Sequence, residues 1–257
     1  MEGVLHSAFM ASWPLSSPQA AAAFCYPRAY RCDPLRLAAE AESAGVCCII
    51  NMGVAEINVG GVRIRVLGKG HASLVVAGLT FDGQVVAVKV RRTDSKRSSL
   101  EGEGRLLEVA SRAGASPAPL YYSKDLIVME YVGDVSLEQV LRASPSPLLR
   151  RSLLEAVRAA RALDAVKILH AELHRPLRNV FYPRWPSSPK AVIIDLESSS
   201  RECGNVNKVL SFMIAKGLLR GRAVEALTSL LRDYRLAGCP RDLYVMIEEK
   251  LDQAFTT

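Results

Sequence analysis

The sequence predicts an α+β fold in which a β-rich N-terminal half precedes an α-rich C-terminal half. Apolar runs on both sides of Asp82-Gly83 predict a β-hairpin, because Asp-Gly is a preferred two-residue hairpin turn. The stretches LYYSK and LIVMEYV predict two more strands, and Gly133 follows them as a hinge. Beyond Gly133 the pattern is helical near 136–143, 146–166, 205–216, 221–237 and 241–254, interrupted by an irregular loop at 168–182 and one buried strand, AVIID. An apolar content of 49% and a mean hydropathy of +0.13 allow a sizeable core.

The first 59 residues predict two segments that precede this fold, a poorly ordered N-terminus and a small extension. Residues 1–26 are rich in Ala, Ser and Pro and nearly uncharged, so we expect them to be poorly ordered. They lack the basic start of a signal peptide, and we expect no membrane association because no apolar run is long and uncharged enough to span a bilayer. Residues 27–59 predict a small helix–strand extension, with Asp33 capping a helix that ends at Gly45.

Cysteine usage and charge narrow the classes of function. None of the six cysteines has metal-ligand spacing, adjacent Cys47-Cys48 read as buried small hydrophobes, and we expect a reducing, cytoplasmic setting. The net charge of +7 is compatible with nucleic acid, ribosomes or acidic proteins as partners. We favour a basic rim around a phosphate site plus ordinary surface lysine and arginine, because the charge is spread along the chain and few aromatic residues interleave with it.

The stretch 66–89, VLGKGHASLVVAGLTFDGQVVAVK, organises the prediction. Two glycines lie on the turn before the hairpin, where a backbone can approach a ligand closely. The stretch resembles the glycine-rich loop and third-strand lysine of protein kinases. The resemblance implies that Lys89 holds the α- and β-phosphates of a nucleotide. It also implies nucleotide contacts from Gly68, Lys69, Gly70, Ser73 (in place of a third glycine), Val75 and Ala87.

A buried lysine requires an acidic partner. The next helix, LEGEGRLLEVASRAG, capped by Ser98 or Ser99, offers Glu101 and Glu103, of which only one can face the strand because they lie about 200° apart around the helix. We expect Glu103, because the resembling kinases carry Glu-x-Arg-Leu-Leu there.

The stretch 127–133, IVMEYVG, resembles the segment that joins the two lobes of a kinase. The resemblance implies that Met129 is the gatekeeper residue. It also implies that the backbones of Glu130 and Val132 contact the adenine edge.

The stretch 170–181, HAELHRPLRNVF, resembles the kinase catalytic loop, with two departures. Glu172 occupies the place of the catalytic aspartate, and Asn179, the implied metal ligand, lies seven residues beyond it rather than five. Phe181 is a further implied nucleotide contact, and His170 is expected to pack and hydrogen-bond rather than carry protons. In IIDLE, Asp195 is the implied Mg²⁺ ligand, with a helix N-cap as its structural alternative, and Glu197 either adds a second acidic group or points outward.

Together, residues 60–212 resemble an atypical serine/threonine protein kinase of the archaeal type, related to the RIO kinases and to the small kinase of the KEOPS complex. The resemblance implies a two-lobed fold with an N-lobe at 60–133 and a compact C-lobe at 134–257. It implies ATP and Mg²⁺ or Mn²⁺ as cofactors, and it implies Glu172, Lys89 and Asp195 as catalytic residues. Only 62 residues follow Asp195, too few for a long activation segment and a full substrate platform.

Three functions follow from this comparison. The first is an ATP-dependent serine/threonine kinase acting on protein substrates, itself included. The second is a nucleotide-binding pseudokinase or ATPase switch in a ribosomal or RNA-associated assembly, which the altered catalytic loop and the basic charge motivate. The third is a small-molecule phosphotransferase, because such enzymes share the fold.

Overall fold

The computed structural model describes residues 11–142, 147–221 and 223–255, and these residues form a mixed α+β structure. They divide into two compact units. The first unit comprises the described residues of Met1–Gly104 and Pro119–Tyr131, and the second comprises those of Arg105–Ala118 and Val132–Thr257.

The first unit is built around one antiparallel sheet in the order β1-β2-β6-β7-β9-β8, with β5 paired to β6 beside this path. A separate two-stranded hairpin, β3-β4, lies in the same unit. The strands are β1 Ser12–Pro14, β2 Val46–Ile50, β3 Ala55–Val59, β4 Val62–Val66, β5 Gly68–Lys69, β6 Ser73–Thr80, β7 Val85–Arg91, β8 Pro119–Tyr122 and β9 Leu126–Glu130.

The central hairpin, β6-β7, is confirmed. The Thr80 N–H donates to the Gln84 carbonyl at 2.9 Å and the Gly83 N–H to the Thr80 carbonyl at 3.0 Å, so a three-residue loop joins the strands, and Gly83 at φ +83° adopts its left-handed conformation without strain. The register pairs Val75 with Lys89 and Ala77 with Ala87. Because directly opposed residues share a face of the sheet, this register decides which side chains accompany Lys89.

The prediction that residues 1–26 are poorly ordered is wrong for residues 11–26. Residues 12–14 form β1, and Pro18–Phe24 form helix α1, whose N-cap Ser17 accepts a hydrogen bond from the Ala20 N–H. Ala20 and Phe24 are fully buried in the core of the first unit. An uncharged run of alanines is a strong helix former with one packing face, and this explains the order. Residues 1–10 lie outside the described part.

The helix predicted after Asp33 is confirmed as α2, Pro34–Ser43, which the Asp33 carboxylate caps and which precedes Gly45 at φ +88°. Helix α2 and α1 pack on the face of the sheet that carries Val86, Val88 and Val90, and these elements form one hydrophobic core. Residues of the 27–59 extension thus belong to the first unit and share its hydrophobic core.

The second unit is mainly helical, and its helices follow the periodicity of the sequence closely. It also contains one short antiparallel pair of strands. The elements are α3 Glu101–Arg112 (which begins in the first unit), α4 Leu137–Arg142, α5 Pro147–Ala165, β10 Val180–Phe181, β11 Val192–Ile193, α6 Asn205–Ala215, α7 Ala223–Leu236 and α8 Arg241–Ala254.

Four cysteines form disulfides, Cys25–Cys32 in the first unit and Cys203–Cys239 in the second. Neither was predicted, because separations of 7 and 36 residues carry no pairing signal. The bonds remove the ground for expecting a reducing compartment, and cytoplasmic localisation stays a prediction.

Cys47 and Cys48 are half-buried rather than buried, because a β-bulge interrupts the pairing of β2 at this point. Their sulfurs lie 3.1 Å apart. Burial, together with the neighbouring Cys47, raises the pKa of the Cys48 thiol to about 11.

Across the ranges 11–142, 147–221 and 223–255, no helix has both the length and the apolar character needed to cross a bilayer.

Candidate functional site

The glycine-rich turn lies between β5 and β6. Gly68 pairs with Val75 and Lys69 with Leu74, and the Gly70 N–H donates a hydrogen bond of 2.9 Å to the Ser73 carbonyl. Ser73, in the place of the third glycine, is buried at the start of β6, whereas Lys69 and Gly70 are exposed. The turn is therefore exposed at residues 69–70, and the strand β6 that follows it is buried from its first residue.

Lys89 and Glu103 form the ion pair that the sequence predicts. The Lys89 Nζ lies 2.7 Å from Oε1 of Glu103, and both side chains are almost fully shielded from solvent. Glu101 is exposed at the start of α3, and its N–H donates a hydrogen bond of 3.1 Å to the Ser99 hydroxyl oxygen, which identifies Ser99 as the capping serine. The helix geometry thus selects Glu103 as the partner of Lys89.

The predicted nucleotide contacts of the sheet share one face. Val75 opposes Lys89, and Ala87 opposes Met129 on the neighbouring strand β9. Because Ala87 and Lys89 are two residues apart on β7, all four side chains point to the same side. The opposite side of β7 packs in the core against α1 and α2. Lys89 and the other three side chains therefore lie on the face of the sheet that points away from these two helices.

The other predicted adenine contacts lie at the end of β9. Glu130, the last residue of β9, is exposed and pairs with Val86, and Met129 is half-buried. Val132 is half-buried and begins the second unit, one residue before Gly133 at φ +77°.

In the second unit, the pairing of β10 with β11 joins two of the predicted motifs. Val180 pairs with Ile193, and the Ile194 N–H donates a hydrogen bond of 2.9 Å to the carbonyl of Asn179. Asn179 is buried, and Phe181 is half-buried, opposite Val192. This register sets Asn179 beside the residue that precedes Asp195.

Asp195 has φ +65° and ψ +59°, a left-handed conformation that is uncommon outside glycine and that concentrates at functional sites. Its side chain does not cap the short turn that follows, so the structural alternative of an N-cap is wrong. A carboxylate oxygen of Glu197 lies within 4.8 Å of one from Asp195. Glu197 therefore adds a second acidic group instead of pointing outward.

His170 is a buried hydrogen-bonding residue, as predicted. Its Nδ1 accepts a hydrogen bond of 3.1 Å from the Glu172 N–H, and its Nε2 lies 3.0 Å from the carbonyl of Ile194. An accepting Nδ1 carries no proton, so Nε2–H is the donor and the ring is neutral. Burial lowers the pKa of His170, which favours the same neutral form. The ring thus links the loop of Glu172 to the strand that leads to Asp195.

Sequence reasoning missed Asp164, which lies fully buried near the end of α5. Its carboxylate accepts hydrogen bonds of 2.8–3.1 Å from the N–H groups of residues 204–206 and from the Tyr234 hydroxyl. It also accepts from the side-chain amide of Asn205, whose Oδ1 in turn accepts the His170 N–H at 2.9 Å. The sequence does place Asp164 on the apolar face of α5, which indicates a buried carboxylate but not its partners.

Lys208 was also missed. From α6 its ammonium donates to the carbonyls of His170 and Ala171 at 2.6 and 3.1 Å. Burial lowers the pKa of Lys208, with Arg235 adding to the effect. The loop before Glu172 is therefore supported from α6 by both Lys208 and Asn205.

The donor chemistry of the second unit suits a divalent cation. Asp195 and Glu197 offer neighbouring carboxylate oxygens, and Mg²⁺ and Mn²⁺ prefer oxygen ligands. Asn179, whose backbone carbonyl is bonded to the Ile194 N–H, is a further candidate through its amide oxygen. Glu172 is exposed, with its backbone N–H fixed by His170.

Comparisons of this chain with known protein families and with curated proteins find no match.

Proposed function

We propose that this chain is an ATP-dependent kinase that transfers the γ-phosphate of ATP to serine or threonine of a protein substrate. The observation that carries the proposal is the buried ion pair of Lys89 and Glu103, on the sheet face shared by Val75, Ala87 and Met129. In this proposal the first unit is the N-lobe and the second the compact C-lobe of a two-lobed, protein-kinase-like fold.

In the first unit, Lys89 would bind the α- and β-phosphates while Glu103 keeps its ammonium oriented. A lysine held at 2.7 Å from a carboxylate is fixed in one rotamer before a ligand arrives. The exposed backbone of Gly68–Gly70 would cover the phosphates, and Val75 and Ala87 would contact the apolar faces of the base.

In the second unit, Asp195 and Asn179 would bind Mg²⁺ or Mn²⁺, with Glu197 as an additional carboxylate. A bound divalent cation neutralises negative charge on the phosphates. Glu172 would accept the proton of the acceptor hydroxyl or orient that hydroxyl. His170 keeps the Glu172 backbone in place and, being neutral, adds no competing positive charge.

Nucleotide binding tests this proposal directly. We expect titration calorimetry with Mg·ATP to show one site, and we expect Lys89→Met to raise the dissociation constant at least about tenfold, because a charge-assisted contact is lost. Asp195→Ala should remove the dependence of affinity on the metal. Lys124→Met, at an exposed lysine of the first unit, is the matched control and should bind as the wild type does. An unchanged affinity in Lys89→Met would overturn the proposal.

A further inference from the structure

The glycine-rich turn is fixed from outside by Arg92. The Arg92 Nη1 donates a hydrogen bond of 2.7 Å to the Gly70 carbonyl, and the Arg92 N–H donates one of 2.9 Å to the Ala72 carbonyl. Strand β5 has only two residues, so its own ladder gives the turn little support. Arg92 therefore supplies two of the bonds that define the path of the turn.

Arg92 is itself held in one orientation. Its Nε and Nη2 each lie 2.9 Å from an oxygen of Asp94, a bidentate pair that matches the planar guanidinium. Hydrogen bonding to Asp94 raises the pKa of Arg92, so the side chain stays charged. The guanidinium carbon also lies 5.2 Å from the centre of the Tyr26 ring, within cation–π distance.

Tyr26 receives a second cation from the turn itself. The Lys69 ammonium lies 5.3 Å from the centre of the same ring. Tyr26 is buried, and its carbonyl accepts a hydrogen bond of 2.9 Å from the Thr93 N–H. The Thr93 hydroxyl in turn accepts the Arg28 N–H at 2.9 Å. The ring therefore has a fixed position, and the exposed Lys69 lies beside it.

We infer that Tyr26 and Arg92 are positioning residues for nucleotide binding: Arg92 shapes the turn through Gly70, and the Tyr26 ring holds Arg92 and the Lys69 ammonium beside the turn, where Lys69 can contact phosphate without leaving the ring. The inference rests on the proposed function, because it assigns Lys69 to the phosphates. A turn ordered before binding loses less conformational freedom when the nucleotide arrives, so the pair raises affinity without touching the reacting atoms.

A disulfide closes the loop that carries Tyr26. Tyr26 directly follows Cys25, whose disulfide partner is Cys32. Residues 1–26 are predicted from the sequence to be poorly ordered, yet Tyr26 at the end of this segment contacts the glycine-rich turn through Lys69.

Two measurements on the full chain test the inference. The first is hydrogen exchange of the amides of residues 67–73 without nucleotide. We expect Arg92→Met and Tyr26→Leu to speed exchange about tenfold, because the local opening free energy falls. Tyr26→Phe should restore wild-type exchange because it keeps the ring. Arg36→Met is the matched control, since Arg36 pairs with Glu40 and Asp125 and is not bonded to the turn.

The second measurement is the KM for ATP and the kcat of the same variants. Arg92→Met, which loses one charged hydrogen bond to the turn, should raise KM about tenfold with kcat unchanged. Tyr26→Leu, which loses the cation–π contacts, should raise KM with kcat unchanged as well. Should Tyr26→Leu fail to fold, Arg92→Met carries the test alone. Unchanged exchange and KM in Arg92→Met would overturn the inference.

The two readouts separate this inference from the proposed function. A wild type that binds no nucleotide would overturn the proposed function and the role in binding, while exchange would still decide whether Arg92 orders the turn. A wild type that binds ATP, with variants of equal affinity, would overturn the positioning role alone.

Discussion

Lys89 and Glu103 are joined at 2.7 Å, with side-chain exposures of only 4% and 1%. A buried ion pair is a weak source of stability, because removing two charges from water offsets most of their attraction. Both residues lie at positions where an apolar side chain would pack without that cost. Stability alone therefore gives the pair little reason to exist, and the proposed function supplies one, phosphate binding by Lys89.

A single and a double variant can distinguish the effect of Lys89 on stability from its effect on nucleotide binding. Lys89→Met should lower the free energy of unfolding by about 3–5 kcal/mol, because it leaves Glu103 charged and buried without Lys89. The double variant Lys89→Met/Glu103→Leu should recover most of that loss but not nucleotide affinity. Urea unfolding and Mg·ATP titration measure the two quantities. Recovered affinity in the double variant would contradict the role of Lys89.

Two glycines in the first turns of α3 make a second test. A Cβ on Gly104 would overlap the ring of Tyr122, whereas one on Gly102 would meet no atom within 4 Å. Gly104→Ala should destabilise the fold by about 1–3 kcal/mol through overpacking. Gly102→Ala should stabilise it by up to about 1 kcal/mol through helix propensity. Equal effects in thermal or urea unfolding would contradict the packing of α3 on β8.

The buried imidazole of His170 predicts a pH dependence of stability. Its pKa is lowered by burial, an effect that the hydrogen bond to Ile194 and the carboxylates of Asp195 and Glu172 oppose and that the charge of Lys208 reinforces. The unfolded chain, with a histidine pKa near 6.5, therefore binds the proton first as the pH falls.

Stability from this group is thus complete above pH 6.5 and is lost as the pH falls through the folded-state pKa. Urea unfolding between pH 8 and pH 5 should show that decline, and His170→Gln should show a shallower one. An identical slope in the variant would mean that another group titrates.

The hydrogen bonds of buried Asp164 predict a large effect on stability. Asp164→Ala leaves the N–H groups at the start of α6 and the Tyr234 hydroxyl without their acceptor, so it should cost about 3 kcal/mol or more. Asp233→Ala, at an exposed aspartate of α7, should change the unfolding free energy by less than about 0.5 kcal/mol. Similar unfolding midpoints for the two variants would contradict the network.

Local signals in the sequence were sufficient for most elements of the fold. The Asp82-Gly83 turn, the Asp33 cap and the helices of the second unit follow from short-range patterns, and the structure has each of them. The pairing of Lys89 with Glu103 was also predictable, because a buried lysine requires a carboxylate and helix geometry admits only one of the two candidates.

The features that could not be predicted from the sequence depend on contacts between residues far apart in the chain. Nothing near Ser17 indicates that α1 packs under β7, and nothing near Asp164 indicates that it caps a helix 40 residues later. The disulfide Cys203–Cys239 and the contact of Tyr26 with Arg92 have the same character. Each is set by tertiary packing, which local periodicity does not encode.

Transfer of labelled γ-phosphate from ATP, with Mg²⁺ and then Mn²⁺, tests the central claim most directly. The acceptors are the protein itself and a generic basic protein, and wild type is compared with Glu172→Gln and Asp195→Ala. The account predicts label on serine or threonine with the wild type and its loss in both variants. Nucleotide binding with no label on any protein would contradict the kinase function and favour a nucleotide switch, and turnover stimulated only by a metabolite would favour a small-molecule phosphotransferase.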